Sequence, residues 1–429
     1  MVRISIPKLP DRPPLPPGPL TRMPVAEAGR WVAGFLRGDK DTEASRAGLR
    51  EGAQPPERKG AEGTLIVTGA GVSVDSGIRA YRGKEGAYMN PNYHFNCSEK
   101  LTPAPSSMAS LSRTHHAANC SGNDVSGVAT SSFDLSHELT PDWARSFLGY
   151  PPVKAAQPNP LHIYLASLQA LGLSHGLLTQ NVDNLHRKAL LRLQAVFGEH
   201  GARASASRIL ELHGTLAKVH CLQNGHEGTR DEWQKMLGDL NPIWDQEARD
   251  MVAEGRMPRT NPDGDVELPG ADYASFVVPP CSQCAAVGQE GVVKPNVIFF
   301  GETLPSYVKE ESFQLIDAAS RLLVLGSTLA TYSAFRLIKR AYEAGKPVLL
   351  ISQGPSRADE LDIFRMDRVA GPVMRAALEN LLSGRNDPAA RAVRDVWDSG
   401  VITAPGAQLP QLPQLPRLEE PAAQRSALA

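Results

Sequence analysis

Along this chain, short runs rich in β-branched residues alternate with stretches in which apolar positions recur at helical spacing. The runs Thr64–Thr68, Gly176–Thr179, Arg321–Leu325 and Pro347–Ile351 predict strands. A helix is expected over Leu161–Leu171, because Asn159-Pro160 supplies a capping side chain and then a proline at the first helical position. Another is expected over Tyr332–Ala344. This alternation predicts an α/β fold, a doubly wound parallel sheet covered by helices on both faces.

Two segments break the pattern. Residues 98–140 hold ten serines and six charged groups, too few apolar positions for a core of their own, and read as an insertion. Residues 215–290 carry Cys221 and the pair Cys281 and Cys284, which suggests a small module stapled by metal. The ends read as tails: 1–60 opens with Pro7, Pro10, Pro13, Pro14, Pro16, Pro17 and Pro19, and 386–429 ends in Gln-Leu-Pro repeats. The catalytic domain is expected over 61–385. The first 38 residues carry Arg3, Lys8, Arg12, Arg22, Arg30 and Arg37 against Asp11 and Glu27, a bias that fits either a mitochondrial presequence or a plain extension.

Composition narrows the classes. A formal charge of −1 over 429 residues offers no field to steer nucleic acid or an acidic membrane, and no apolar run is long enough to span a bilayer. Five cysteines in a chain without a signal peptide point to thiols kept reduced or bound to metal.

Five segments carry candidate chemistry. Gly63-Thr-Leu-Ile-Val-Thr-Gly-Ala-Gly-Val-Ser73 runs from a strand into glycines and a helix start, where backbone N–H groups can approach a pyrophosphate. Val74 breaks the Gly-x-Gly-x-x-Gly spacing of a dehydrogenase. Thr179-Gln-Asn-Val-Asp183-Asn-Leu-His186 places amides and a carboxylate at a strand's C-terminal end. Glu211-Leu-His213-Gly214 sets a histidine beside a glycine that permits close approach. Lys294-Pro-Asn-Val-Ile-Phe-Phe-Gly-Glu302 and Gly326-Ser-Thr-Leu-Ala330 follow. Singly, each has an ordinary structural reading as a tight turn, a satisfied histidine or a strand end.

In this order the segments resemble the sirtuin family, most closely its class II, mitochondrial type, through Asp142-Trp-Ala-Arg-Ser-Phe-Leu-Gly-Tyr150, Gln157-Pro-Asn-Pro160 and Asn261-Pro-Asp-Gly-Asp265. The resemblance implies a Rossmann-like NAD-binding domain with a smaller zinc-and-helix domain. It further implies NAD+-dependent removal of acyl groups from protein lysines, giving nicotinamide and O-acyl-ADP-ribose. Carried over by motif, the co-substrate would be held by Gly69, Ala70, Gly71, Ser73, Ile78, Tyr81 and Arg82, by Gln180, Asn181 and Asp183, and by Gly326, Ser327 and Ser352. His213 would be the base, with Asn181 and Asp183 beside it in catalysis. In the family mechanism the acyl oxygen attacks the ribose carbon that bears nicotinamide, and the histidine then accepts a ribose hydroxyl proton. Its ordinary pKa near 6.5 suits that task.

Partners would be acylated lysine proteins or peptides, bound as an added strand near Phe299–Glu302, with no nucleic acid and no membrane. The mitochondrial matrix is the expected location. Zinc would be structural, on Cys221, Cys281 and Cys284, and weakly held because Asn224 stands where a fourth cysteine belongs; His226 is placed to substitute, His220 is not. Arg79, Ala80 and Ser352 depart from the family pattern. Two other readings stay open: a protein mono-ADP-ribosyltransferase on the same fold, and a catalytically impaired NAD-binding scaffold.

Overall fold

The computed structural model describes residue 9 and residues 16–39, 62–82, 86–89, 132–197, 208–255, 260–266 and 272–398. Its largest element is a six-stranded sheet in the order β3-β2-β1-β7-β8-β9. The strands are β1 (Glu62–Thr68), β2 (Ser174–Thr179), β3 (Arg208–Glu211), β7 (Ala319–Leu325), β8 (Val348–Ile351) and β9 (Phe364–Met366). Every pairing within it is parallel. The four strands expected from sequence are all present, with slightly shifted starts.

Side chains alternate across each strand, so neighbouring residues feed different cores. Ile66, Leu323, Leu325, Leu349 and Ile351 point to a core built with the helices Val25–Arg37, Pro160–Ala170, Leu185–Phe197, Ala370–Leu382 and Pro388–Asp398. Leu65, Val67, Leu322, Val324, Val348 and Leu350 point to the other face, under the helices Ser306–Ala318 and Tyr332–Glu343. Burial on both faces explains why the strands are apolar throughout. Asn159 caps its helix as expected, its side chain accepting from His162 N.

A second unit is an antiparallel three-stranded sheet, β5-β4-β6, made of β4 (Gly214–Cys221), β5 (Glu227–Thr229) and β6 (Val293–Val297). Helices Ser132–Ala155, Arg230–Leu240 and Pro242–Ala253 pack on it around Trp143, Phe147, Trp233, Leu237, Trp244 and Phe276.

The segment boundaries differ from the sequence reading in three places. Residues 1–60 are not all tail: Val25–Arg37 is a helix with Ala28, Val32, Ala33 and Phe35 fully buried. The surrounding prolines hide this apolar stripe of period three to four. Residues 386–429 are likewise not all tail, since Pro388–Asp398 buries Ala390, Val393 and Val396. The last residues of the 98–140 insertion belong to the helix Ser132–Ala155, whose internal prolines obscure its pattern, while 98–131 lies outside the described residues. The helix Leu185–Phe197 buries Leu193 in the core with Ile66 and Leu323.

Candidate active site

The sheet order reverses between β1 and β7, with β2 and β3 on one side and β8 and β9 on the other, and a ligand crevice opens at the C-terminal ends of such strands. There the two glycine segments interlock. Gly69 N donates to Leu325 O (3.0 Å), Gly71 N to Gly326 O (2.9 Å) and Gly326 N to Ile351 O (3.0 Å). Gly326 has φ +59°, and a Cβ on it would lie 2.8 Å from Val72 N, so only glycine fits. No α-helix starts at Ser73. Two single 3-10 turns, Ala70–Val72 and Val74–Ser76, close through Val72 N to Gly69 O (3.1 Å) and Gly77 N to Val74 O (3.0 Å). An anion here would meet a close-packed loop backbone and no helix macrodipole, and the N–H groups of Gly71, Val72 and Ser73 already donate to carbonyls of the two loops.

The crevice encloses a cavity of ≈ 1160 Å³, enough for a dinucleotide together with an acyl-lysine arm. Every residue that the family motifs assign to the co-substrate or to catalysis lines it, except Gly69, which lies beneath Ser327. A polar network braces the loop. Asn181 Nδ2 donates to Gly69 O (3.2 Å) and Ser73 Oγ (3.1 Å), and Ser73 Oγ donates to Asp183 Oδ2 (2.6 Å). The other Asp183 oxygen accepts from Leu185 N (2.9 Å). Burial raises the Asp183 pKa, and these two bonds oppose the rise. Gln180 Nε2 donates to Thr68 O (3.1 Å) and Ser327 Oγ (2.9 Å), joining β1 to the second glycine loop.

His213 sits at the seam of the two sheets, between β3 and β4. Its carbonyl accepts from Ile298 N (2.9 Å), and Gly214, at φ +81°, passes so close to β6 that a Cβ would lie 2.1 Å from Asn296 O. The imidazole Nδ1 is 3.1 Å from Gln180 O, and Nε2 is 2.8 Å from Ser333 Oγ. Burial pulls the ring down to about 4, partly opposed by the Gln180 carbonyl, so the base is neutral at working pH. Beside it, Lys294 Nζ donates to Glu302 Oε1 (2.6 Å), Glu302 Oε2 (2.8 Å) and Val297 O (2.8 Å). Glu302 also accepts from Phe299 N (2.8 Å), which pins the Phe299–Glu302 loop against the cavity.

The metal module brings the three expected thiols together with His226, the imidazole that the spacing left as a substitute for the missing fourth cysteine. Cys221, His226, Cys281 and Cys284 bring their donor atoms within 4.8 Å of one another. Cys221 Sγ lies 3.6 Å from Cys284 Sγ, and His226 Nδ1 lies 3.4 and 3.5 Å from Cys281 and Cys284 Sγ. Zinc–sulfur bonds of ~2.3 Å imply tetrahedral edges near ~3.8 Å, so the donor set fits zinc. A tight turn returns His226 to the cluster, with Cys221 N donating to His226 O (2.8 Å) and Gly225 N to Cys221 O (2.9 Å). Asn224 fills no ligand position; its Nδ2 donates to Cys284 Sγ (3.2 Å) and Gln289 Oε1 (3.1 Å).

Ser333 is a contact that the motifs do not announce, because it lies 120 residues from its histidine partner. Lys294 and Glu302 are the two ends of one motif segment, but the ion pair that joins them is seen only in the fold. Arg79, one of the departures, donates to Asn261 Oδ1 (3.4 Å) and Gly86 O (3.4 Å), tying the loop after the glycines to the second unit. Ser352 lines the cavity with its N donating to Met366 O (3.2 Å).

Residues 129–333 match the model of the Sir2 family. A protein of Batrachochytrium dendrobatidis named NAD-dependent protein deacylase SIR4 is 36% identical over 315 residues, 72% of this chain and 87% of its own. NAD-dependent protein deacetylase 1 of Corynebacterium efficiens is 36% identical over 320 residues, 74% of this chain and 92% of its own. The bovine NAD-dependent protein lipoamidase sirtuin-4, mitochondrial, is 33% identical over 311 residues, 72% of this chain and 80% of its own.

Proposed function

Because the chain belongs to the Sir2 family, we infer that it is an NAD-dependent protein lysine deacylase with His213 as its base. The observation that carries this reading is the meeting in one cavity of the interlocked glycine loops, the Gln180, Asn181 and Asp183 network, and a neutral buried histidine. As co-substrate, NAD+ supplies the ribose carbon that takes the acyl oxygen when nicotinamide leaves.

The chain's own residues do the rest. The glycine-rich backbone of Ala70–Ser73 lets the pyrophosphate approach closely, although the N–H groups of Gly71, Val72 and Ser73 already donate to Gly326 O, Gly69 O and Ala70 O. Gln180 and Asn181, whose NH2 groups brace the loops, turn their amide oxygens to the nicotinamide ribose. Asp183 fixes Ser73 from behind. His213 is the base for the proton that a ribose hydroxyl gives up, and it takes up a proton at Nε2, because Nδ1 faces a carbonyl and keeps its own. The peptide lies as an added strand against the loop that Lys294 and Glu302 pin, so main-chain contacts dominate its recognition. Zinc on Cys221, His226, Cys281 and Cys284 is structural and takes no part in the chemistry.

The catalytic unit runs from Pro19 to Asp398 rather than from 61 to 385. A targeting leader is then confined to residues 1–18, because Thr21 already accepts from Asp367 N (3.0 Å) within the fold. We place the protein in the mitochondrial matrix, on the basic bias of its N-terminal segment and the mitochondrial bovine relative. Residues 1–18 fused to a fluorescent reporter should direct it to mitochondria; a reporter left in the cytosol overturns that placement. Among the described residues, no helix is long and apolar enough to cross a membrane.

Mass spectrometry of an acetyl-lysine peptide treated with enzyme and NAD+ tests the activity. Free lysine with O-acyl-ADP-ribose is the expected outcome. A protein-bound ADP-ribose adduct would mean transfer, and NAD+ binding without nicotinamide release would mean a scaffold.

A further inference from the structure

An sp² imidazole nitrogen has one lone pair. In His213 the Nδ1 atom faces Gln180 O, which can only accept, so Nδ1 carries the ring proton of the neutral form and the lone pair is on Nε2. That lone pair is already engaged, because Ser333 Oγ lies 2.8 Å away and the hydroxyl donates to it. Ser333 is the second residue of the helix Tyr332–Glu343, and no side chain caps this helix at Thr331. Instead of satisfying the helix's own N–H groups, the serine hydroxyl is turned toward the histidine. Ala334, Phe335, Leu337 and Ile338 anchor the helix in the core, so the hydroxyl is presented from a rigid element, and it lines the cavity with His213.

We propose that Ser333 is a proton relay between the ribose hydroxyl of the co-substrate and His213. The ribose hydroxyl passes its proton to Ser333 Oγ as Ser333 passes its own to His213 Nε2. One O–H bond breaks on the ribose and one on the serine, while one O–H forms on the serine and one N–H on the imidazole. The products of the step are a ribose alkoxide, an unchanged serine and an imidazolium whose Nε2–H donates back to Ser333. A proton travelling to Nε2 along its lone pair must cross this hydroxyl, and the pair is poised for either direction of the hydrogen bond. The inference rests on the deacylase reading above and adds a proton-transferring residue to it.

The test uses single-turnover quench-flow with the full chain, NAD+ and an acetyl-lysine peptide, following nicotinamide and O-acyl-ADP-ribose separately. The relay acts after nicotinamide has left. Ser333→Ala should therefore keep the nicotinamide burst within about three-fold of wild type and slow O-acyl-ADP-ribose formation by about 100-fold. Ser333→Thr, which restores a hydroxyl, should recover product formation to within about ten-fold of wild type. Product at the wild-type rate in Ser333→Ala would overturn the relay, because His213 would then take the proton directly. Loss of the burst together with product, or no recovery in Ser333→Thr, would also overturn it and assign the serine to packing. His213→Ala run in parallel separates the two levels: if that variant also makes product normally, the deacylase reading fails and not merely the relay.

Discussion

Replacing His226 with alanine removes one donor from a four-donor cluster and leaves three thiols. Structural zinc sites of this kind contribute ~10–16 kcal/mol, so an even share per ligand is ~3 kcal/mol, or about 100-fold in affinity. The loss reaches the fold as well as the metal, because Cys221, Cys281 and Cys284 are packed in the same core as Trp143, Trp233 and Trp244. His226→Ala should lose zinc to a chelator that leaves the wild type at one zinc per chain, and the melting of the small unit should move to lower temperature. Asn224→Ala removes the N–H donated to Cys284 Sγ and should weaken the site by about ten-fold. Asn224→Cys should bring no gain, because the ligand position it was expected to fill is held by His226. Zinc content by elemental analysis after graded chelation, with calorimetric melting of the same samples, reads all three variants. A His226→Ala protein that keeps wild-type zinc, or an Asn224→Cys protein that gains both zinc and melting temperature, would refute the four-donor account.

Acid should destabilise the protein from about pH 6.5 downward. Burial holds His186 near a pKa of about 3 and also lowers His162, so between the unfolded value of ~6.5 and the folded one the unfolded chain binds more protons. Stability is then full above ~6.5 and falls toward pH 3 by about 1.4 kcal/mol per pH unit for His186, with His162 acting in the same direction; urea midpoints that do not change from pH 7 to 5 would contradict this. Lys294→Met strands the Glu302 carboxylate in a half-buried site and should cost about 3–5 kcal/mol. It should also raise the peptide KM more than the NAD+ KM, and equal changes in the two would argue against a role in holding the peptide loop. Removing residues 1–18 should leave melting unchanged. Removing 1–38 takes away buried Val32, Phe35 and Leu36, at about 1.5–3 kcal/mol each, enough to unfold a domain of ordinary stability; a soluble, cooperatively melting 39–429 chain would contradict that.

The parallel strands and the five motif segments were legible because each pairs an apolar run with glycine or amide groups at its C-terminal end, and both follow from local chemistry. The helix Val25–Arg37 was not, since its apolar stripe is flanked by prolines that dominate the composition of 1–60. Nor was Ser132–Ala155, which carries Pro141, Pro151 and Pro152 inside it yet buries Trp143, Phe147 and Leu148. Tertiary burial overrides local propensity in both. At the site, the sequence named the histidine and its glycine but not the hydroxyl on its other side, because Ser333 and His213 meet only when β7 and its following helix close on β3 and β4. The zinc set shows the same limit. Spacing alone left His226 as an alternative, and the turn from Cys221 to His226 is what brings the imidazole to the thiols.

The central claim is that His213 moves a proton and does not hold the co-substrate. Isothermal titration of NAD+ into wild type and His213→Ala, paired with O-acyl-ADP-ribose formation from an acetyl-lysine peptide, tests it directly. The account predicts NAD+ affinity within a few-fold of wild type, and product formation reduced by at least about 100-fold. Near-normal turnover in His213→Ala, or a collapse of NAD+ binding that accounts for the whole loss, would contradict it.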